Sequence, residues 1–114
     1  MTTKIINNRI FFNEEDKAYA NLTLICDKDL AHLELIKVEP KYRRMHLATQ
    51  MMKKLLSYID KRGYTNIELN PLPLDLTGMN LNQLINFYKK FGFQVSNSKS
   101  KSTPYLMTRV YCCL

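Results

Sequence analysis

The chain has 114 residues, 46% of them hydrophobic, and a net charge of +7. That length suits one domain over residues 1–114 and is too short for two. No apolar run reaches the length needed to span a bilayer, and the first residues, Met1 to Asn8, lack the apolar core of a signal peptide, so a cytoplasmic protein without a membrane partner is expected. Cys26, Cys112 and Cys113 are odd in number, form no C-x-x-C pair and have only His32 and His46 to accompany them, which argues against a disulfide framework and against a metal site.

Taken in order, residues 4 to 12 alternate imperfectly around Asn7-Asn8, a pair suited to the positive φ of a tight turn; one bent strand or a small hairpin fits. Glu14-Glu15-Asp16-Lys17 reads as a polar turn. Tyr19, Leu22, Leu24 and Cys26 belong to a further strand, ended by Asp27-Lys28-Asp29. In the next strand, Ala31 to Val38, a regular pleat puts Leu33, Leu35 and Lys37 on one face and His32, Glu34, Ile36 and Val38 on the other.

That strand runs into Glu39-Pro40-Lys41-Tyr42-Arg43-Arg44-Met45-His46, and then Leu47, Ala48, Met51, Met52, Leu55, Leu56 and Ile59 recur as one stripe of an α-helix closed by Gly63. A helix start exposes four unpaired N–H groups and about half a positive charge, so Ser, Asp or Asn normally caps it and acids fill its first turn. Here Arg43, Arg44 and His46 stand instead. The arrangement points to an anion held by N–H groups and guanidinium forks, a phosphate site; the plainer reading is a solvated basic turn. Charge clusters in the same place. Residues 37–62 hold eight Lys and Arg against two acids, a net +6, which fits a polyanionic cofactor and would also attract a phosphodiester backbone.

Thr65 to Asn70 reads as a short strand stopped by Pro71 and Pro73. Asn80 and Gln83 have the spacing of a capping box, and Leu81, Leu84, Ile85, Tyr88 and Phe91 form the stripe of a second helix ended by Gly92. Phe93-Gln94-Val95 reads as a strand, Ser96 to Ser102 as a polar loop, and Tyr105 to Cys112 as the last strand. The order is βββ-α-β-α-ββ, a mixed α/β (α+β) fold with two main helices.

Two segments carry a family resemblance. Val38-x-Pro40-x-Tyr42-Arg43-Arg44-x-x-Leu47-Ala48 resembles the coenzyme A pyrophosphate loop of the GNAT acetyltransferase superfamily, and Asn86-Phe87-Tyr88-Lys89-Lys90-Phe91-Gly92-Phe93 resembles its second signature, an aromatic-Tyr pair followed by Gly-Phe. The likeness covers about residues 18 to 111. His46 departs from it, standing where the family usually has glycine. The element order resembles a GNAT sheet without the family's first strand and first two helices, which in the family form part of the acceptor wall. With its closing Met107-Thr108-Arg109, the chain is similar to reduced, phage-type acetyltransferases.

The resemblance implies acetyl-coenzyme A as cofactor. It assigns the pyrophosphate to backbone N–H groups of residues 44–49, hence to Arg44, Met45, His46, Leu47, Ala48 and Thr49, with Arg43 beside them and the Thr49 hydroxyl as an extra donor. It assigns pantetheine to the backbone of Ile36 and Val38, and the far side of the cleft to Asn70. Tyr88 matches the acid that protonates the thiolate, although a helix tyrosine is more often plain core. His32 and Glu34 stand where the family often places a base, with Glu34 expected to relay the proton through water while His32 tunes or orients it, and they equally suit a surface pair; Glu68 and Asp75 are weaker candidates. The implied activity is direct N-acetyl transfer to an amine, a protein lysine or N-terminus ahead of a small molecule, and a homodimer partner could rebuild a pocket. Two other classes stay open. One is a coenzyme A-binding module without catalysis. The other is a basic nucleic-acid binder, disfavoured because the aromatics do not interleave with the basic stripe.

Overall fold

The structure, a computed structural model, describes residues 1–25, 29–43, 46–71, 79–96 and 106–110, with Val110 described by its backbone only. Arg44, Met45, Pro73, Asp75, Cys26, Cys112, Cys113 and the expected loop beyond Ser96 lie outside these residues.

At the N-terminal end the hairpin alternative holds. Strands β1 (Thr2–Ile6) and β2 (Arg9–Glu14) are antiparallel partners joined at Asn7-Asn8, with Asn7 at φ 55°. No helix separates them, and β1 itself occupies the outer edge of the sheet. Then come β3 (Ala18–Ile25), β4 (Leu30–Val38), a 3₁₀ turn at Pro40–Tyr42, α1 (Leu47–Lys61), β5 (Asn66–Leu69), α2 (Leu81–Lys89), β6 (Gln94–Val95) and β7 (Met107–Val110). Seven strands form one sheet in the order β1-β2-β3-β4-β5-β7-β6. All neighbours are antiparallel except β4 and β5, and α1 supplies the crossover that a parallel pair requires.

The hydrophobic core lies on one face of the sheet. Ile10, Phe12, Ala18, Ala20, Leu22, Ala31, Leu33, Ile36, Val38, Ile67, Leu69 and Met107 are buried there under Met51, Met52, Leu55, Leu56 and Ile59 of α1 and Leu84, Phe87 and Tyr88 of α2. Arg109 ties the two helices to the sheet. Its guanidinium forms two 3.1 Å bonds to the Asp60 carboxylate of α1, and its Nε donates to the Phe91 carbonyl just past α2. The other face carries Tyr19, Asn21, Thr23, His32, Lys37, Glu68 and Thr108, and no described helix packs on it.

The regular pleat expected for β4 fails at one point. Asn21 pairs with Leu35 but Leu22 pairs with Leu33, so Glu34 is an extra residue in β4, a β-bulge. The bulge inverts the alternation beyond it. Leu33, Ile36 and Val38 therefore share the core face, and Ile36 and Val38 are not on the face of His32 and Glu34 as a bulge-free strand would have them.

Candidate active site: a gap between β4 and β5 opening at a helix start

β4 and β5 are paired over only four rungs, Leu30 with Asn66 through Leu33 with Leu69. Beyond them the strands part. On its other side β4 stays paired with β3, and there the Glu39 N–H bonds to the Lys17 carbonyl at 2.9 Å. This bond makes Ala18 and Val38 a non-hydrogen-bonded pair, and by alternation Ala20 and Ile36 are another. The N–H and C=O groups of Ile36 and Val38 thus point away from β3 and into the gap. Arg43 bears this out for one of them, since its Nε donates to the Val38 carbonyl at 3.1 Å.

At the end of the gap is a cleft of about 460 Å³ lined by Val38, Tyr42, Arg43, His46, Leu47, Ala48, Thr49, Met79, Gln83 and Phe87. The start of α1 forms one wall. His46 is its N-cap, at φ 59° and ψ 21°, in the left-handed region that favours glycine, and its ring makes no cap bond. Its carbonyl accepts the first helical bond, from Gln50. With no acid in the first turn and no side-chain cap, the helix presents its N–H groups and positive dipole end to the cleft.

The facing wall comes from α2. Asn80 and Gln83 form a reciprocal capping box, both bonds at 2.9 Å, which fixes where the helix begins and hence where Gln83 and Phe87 meet the cleft. Tyr88 is 5% exposed, packed edge-on against Phe87 and Phe93, and burial raises its phenol well above the ordinary tyrosine range. Asn70, half-buried, follows directly on the last rung of β5.

His32 and Glu34 share the helix-free face, but each has another partner. Glu34 accepts a short hydrogen bond from the Thr23 hydroxyl and a 3.0 Å bond from Arg9; the hydroxyl first, then the guanidinium, hold its carboxyl below the ordinary range. His32 Nδ1 stands 3.1 Å from Glu68 Oε1. So the gap and cleft bring together Ile36, Val38, Arg43, His46, Leu47, Ala48 and Thr49, whereas Tyr88 is packed behind Phe87. Sequence reasoning gave no place in the cleft to Met79, Gln83 or Phe87. Phe87 lay within the second signature, and Gln83 carried a signal only as a cap.

The Acetyltransferase (GNAT) domain family matches residues 7–95. The chain belongs to the GNAT acetyltransferase family. GNAT structures share its fold. The PaiA N-acetyltransferase from Thermoplasma acidophilum, solved in complex with coenzyme A, is 17% identical with a TM-score of 0.66, over 90% of this chain and 60% of that one. Ard1 from Thermoplasma volcanium is 20% identical with a TM-score of 0.67, over 92% of this chain and 71% of its own. The anti-CRISPR protein AcrVA5 is 19% identical with a TM-score of 0.69, over 89% of this chain and 97% of that one. The chain therefore spans about three fifths of the Thermoplasma acidophilum enzyme and nearly all of the anti-CRISPR protein. No curated protein sequence matches it.

Proposed function

We propose that this GNAT protein is an acetyl-coenzyme A-dependent N-acetyltransferase that passes acetyl directly to an amine, a protein lysine or N-terminus ahead of a small molecule. The observation that carries this reading is the continuous path from the β4–β5 gap, faced by the backbone of Ile36 and Val38, to the uncapped start of α1. The residues present fit the cofactor. Strand-like N–H and C=O groups suit the amides of pantetheine, and a helix N-terminus with Arg43 and Arg44 suits a diphosphate.

The cofactor supplies an activated acetyl thioester; the chain supplies the rest. Backbone N–H groups of residues 44–49, with the Thr49 hydroxyl, hold the diphosphate. Ile36 and Val38 align the pantetheine arm, Asn70 closes the far side of the gap, and His32 takes a proton from the acceptor. Glu34, expected from the sequence to relay the proton, is bound to Arg9 and Thr23 and instead sets the field around His32. A helix-free sheet face beside the gap supports an acceptor presented on another protein. Isothermal titration with coenzyme A, followed by mass spectrometry of peptides incubated with acetyl-coenzyme A, tests the proposal. Expected are saturable binding and a mass gain of one acetyl group; binding to DNA in place of coenzyme A would refute it.

One observation favours a second reading, a coenzyme A-binding module without turnover: Tyr88, the residue matching the family's acid, is buried behind Phe87. The two readings part on the wild-type protein, for which the module predicts coenzyme A binding with no acetyl transfer; where transfer is seen, Tyr88→Phe tests the phenol. A catalytic Tyr88 predicts turnover lowered by something like 10²-fold at unchanged cofactor affinity, whereas a core Tyr88 predicts no change.

A further inference from the structure

His32 and Glu68 are direct partners in the parallel register of β4 and β5, one rung before the strands part. Their side chains meet across that rung, Nδ1 to Oε1 at 3.1 Å, and are 32% and 27% exposed. A carboxylate only accepts, so the ring nitrogen facing it carries the proton. In the neutral ring Nε2 is then the free acceptor.

The charged groups around His32 divide between two tasks. Glu34, two residues along β4, is committed to Thr23 and Arg9. On the β3 side the register partner of His32 is Thr23, which is uncharged; on the β5 side it is Glu68, whose own partner in β7 is Thr108. One carboxylate thus faces a guanidinium and the other the imidazole. A free histidine on a strand surface has no fixed tautomer, whereas this one is held by a neighbour that the backbone register itself delivers.

We infer that Glu68 is a positioning residue for His32: it fixes the Nδ1–H tautomer, so that Nε2 is the atom that takes the proton from the acceptor ammonium at the mouth of the β4–β5 gap. The base role rests on the acetyltransferase reading, but the tautomer does not. In the step, an N–H bond of the ammonium breaks, its electron pair stays on nitrogen, and the proton passes to Nε2. The positive charge moves with it on to an imidazolium beside the Glu68 carboxylate. That proton then leaves to solvent, one for each amine acetylated, and the ring returns to its starting tautomer.

Two readouts test this. Nitrogen-15 NMR of the cofactor-free protein at pH 8, with the His32 signal assigned through His32→Gln, should show a protonated Nδ1 and a bare Nε2. Glu68→Ala should move the ring toward the Nε2–H form, and Glu68→Gln, whose amide oxygen still accepts from Nδ1, should keep the original tautomer. In steady-state acetylation of a lysine peptide, Glu68→Ala should lower kcat about tenfold or more with the KM for acetyl-coenzyme A unchanged, His32→Gln by about 10²-fold, and Glu68→Gln by much less than Glu68→Ala. An Nε2–H tautomer in the wild-type protein overturns the positioning role whatever the activity. A wild-type tautomer as expected, with full kcat retained by His32→Gln, overturns the base role, and full kcat retained by Glu68→Ala overturns the positioning role in catalysis. Failure of the wild-type protein to bind coenzyme A or transfer acetyl defeats the acetyltransferase reading and the base role together, while the NMR result still decides the tautomer.

Discussion

His46 sits where a side chain costs most. A left-handed conformation costs an L-residue roughly 1–2 kcal/mol, and a glycine placed there forfeits about 0.4–1 kcal/mol through its freer unfolded chain. His46→Gly should therefore stabilise the fold by about 0.5 kcal/mol, read as a higher urea midpoint at unchanged slope. The same substitution shows whether the ring assists the anion: an assisting imidazolium predicts a greater loss of coenzyme A affinity at pH 5.5 than at pH 8. Tyr88 has its own pH signature. Its folded-state pKa is raised by burial, so between the unfolded value near ~10 and the folded value the native chain binds more protons than the unfolded one. Stability from this group is complete below about pH 10 and is lost as pH climbs past it. Tyr88→Phe should flatten the alkaline decline seen by circular dichroism; an identical decline would assign it to other groups.

At the scale of elements, the start of α1 offers a substitution whose effects on fold and ligand have opposite signs. Thr49→Glu puts an acid in the first turn, where the helix dipole favours it by about 0.3–1 kcal/mol, and sets that acid against any anion in the cleft. The expected result is a slightly higher melting temperature with coenzyme A binding lost; retained binding would move the diphosphate elsewhere. The far ends of both helices depend on Arg109 instead. Removing its side chain strands a mostly buried Asp60 and frees the Phe91 carbonyl, so Arg109→Ala should cost about 3 kcal/mol in chemical denaturation. What could be read from the sequence follows the same division. Both helices were legible with their stripes, the Asn80–Gln83 box and the glycine stops, because each depends on residues within a turn or two of one another. The β4 bulge was not, since Glu34 becomes extra only through the register that β3 imposes. For the same reason the sequence placed His32 beside Glu34, its neighbour in the chain, when its partner Glu68 is 36 residues away. The basic turn was visible as a local anomaly, a helix start without acids, whereas Met79, Gln83 and Phe87 reach the cleft only because the fold sets α2 across it from the start of α1.

Over the whole molecule, a +7 chain with its positive excess centred on residues 37–62 should draw a polyanion from a distance. Coenzyme A association in stopped flow should slow as salt rises from 20 to 300 mM, with the dissociation rate changing far less; a salt-independent on-rate would confine the charge to local contacts. Among the described residues, nothing covers the outer edge of the sheet at β1. All five of its residues are exposed, including Ile5 at 47% and Ile6 at 46%, and Lys4 is its one charge. The outer edge of such a strand templates any extended chain that meets it. Its consequence is colloidal: as concentration or salt rises, Lys4 is screened and copies stack edge to edge into insoluble β-rich material without first unfolding. Light scattering should then grow with concentration in the native protein, and Ile5→Lys, which adds a second repelling charge to the rim, should keep the solution clear.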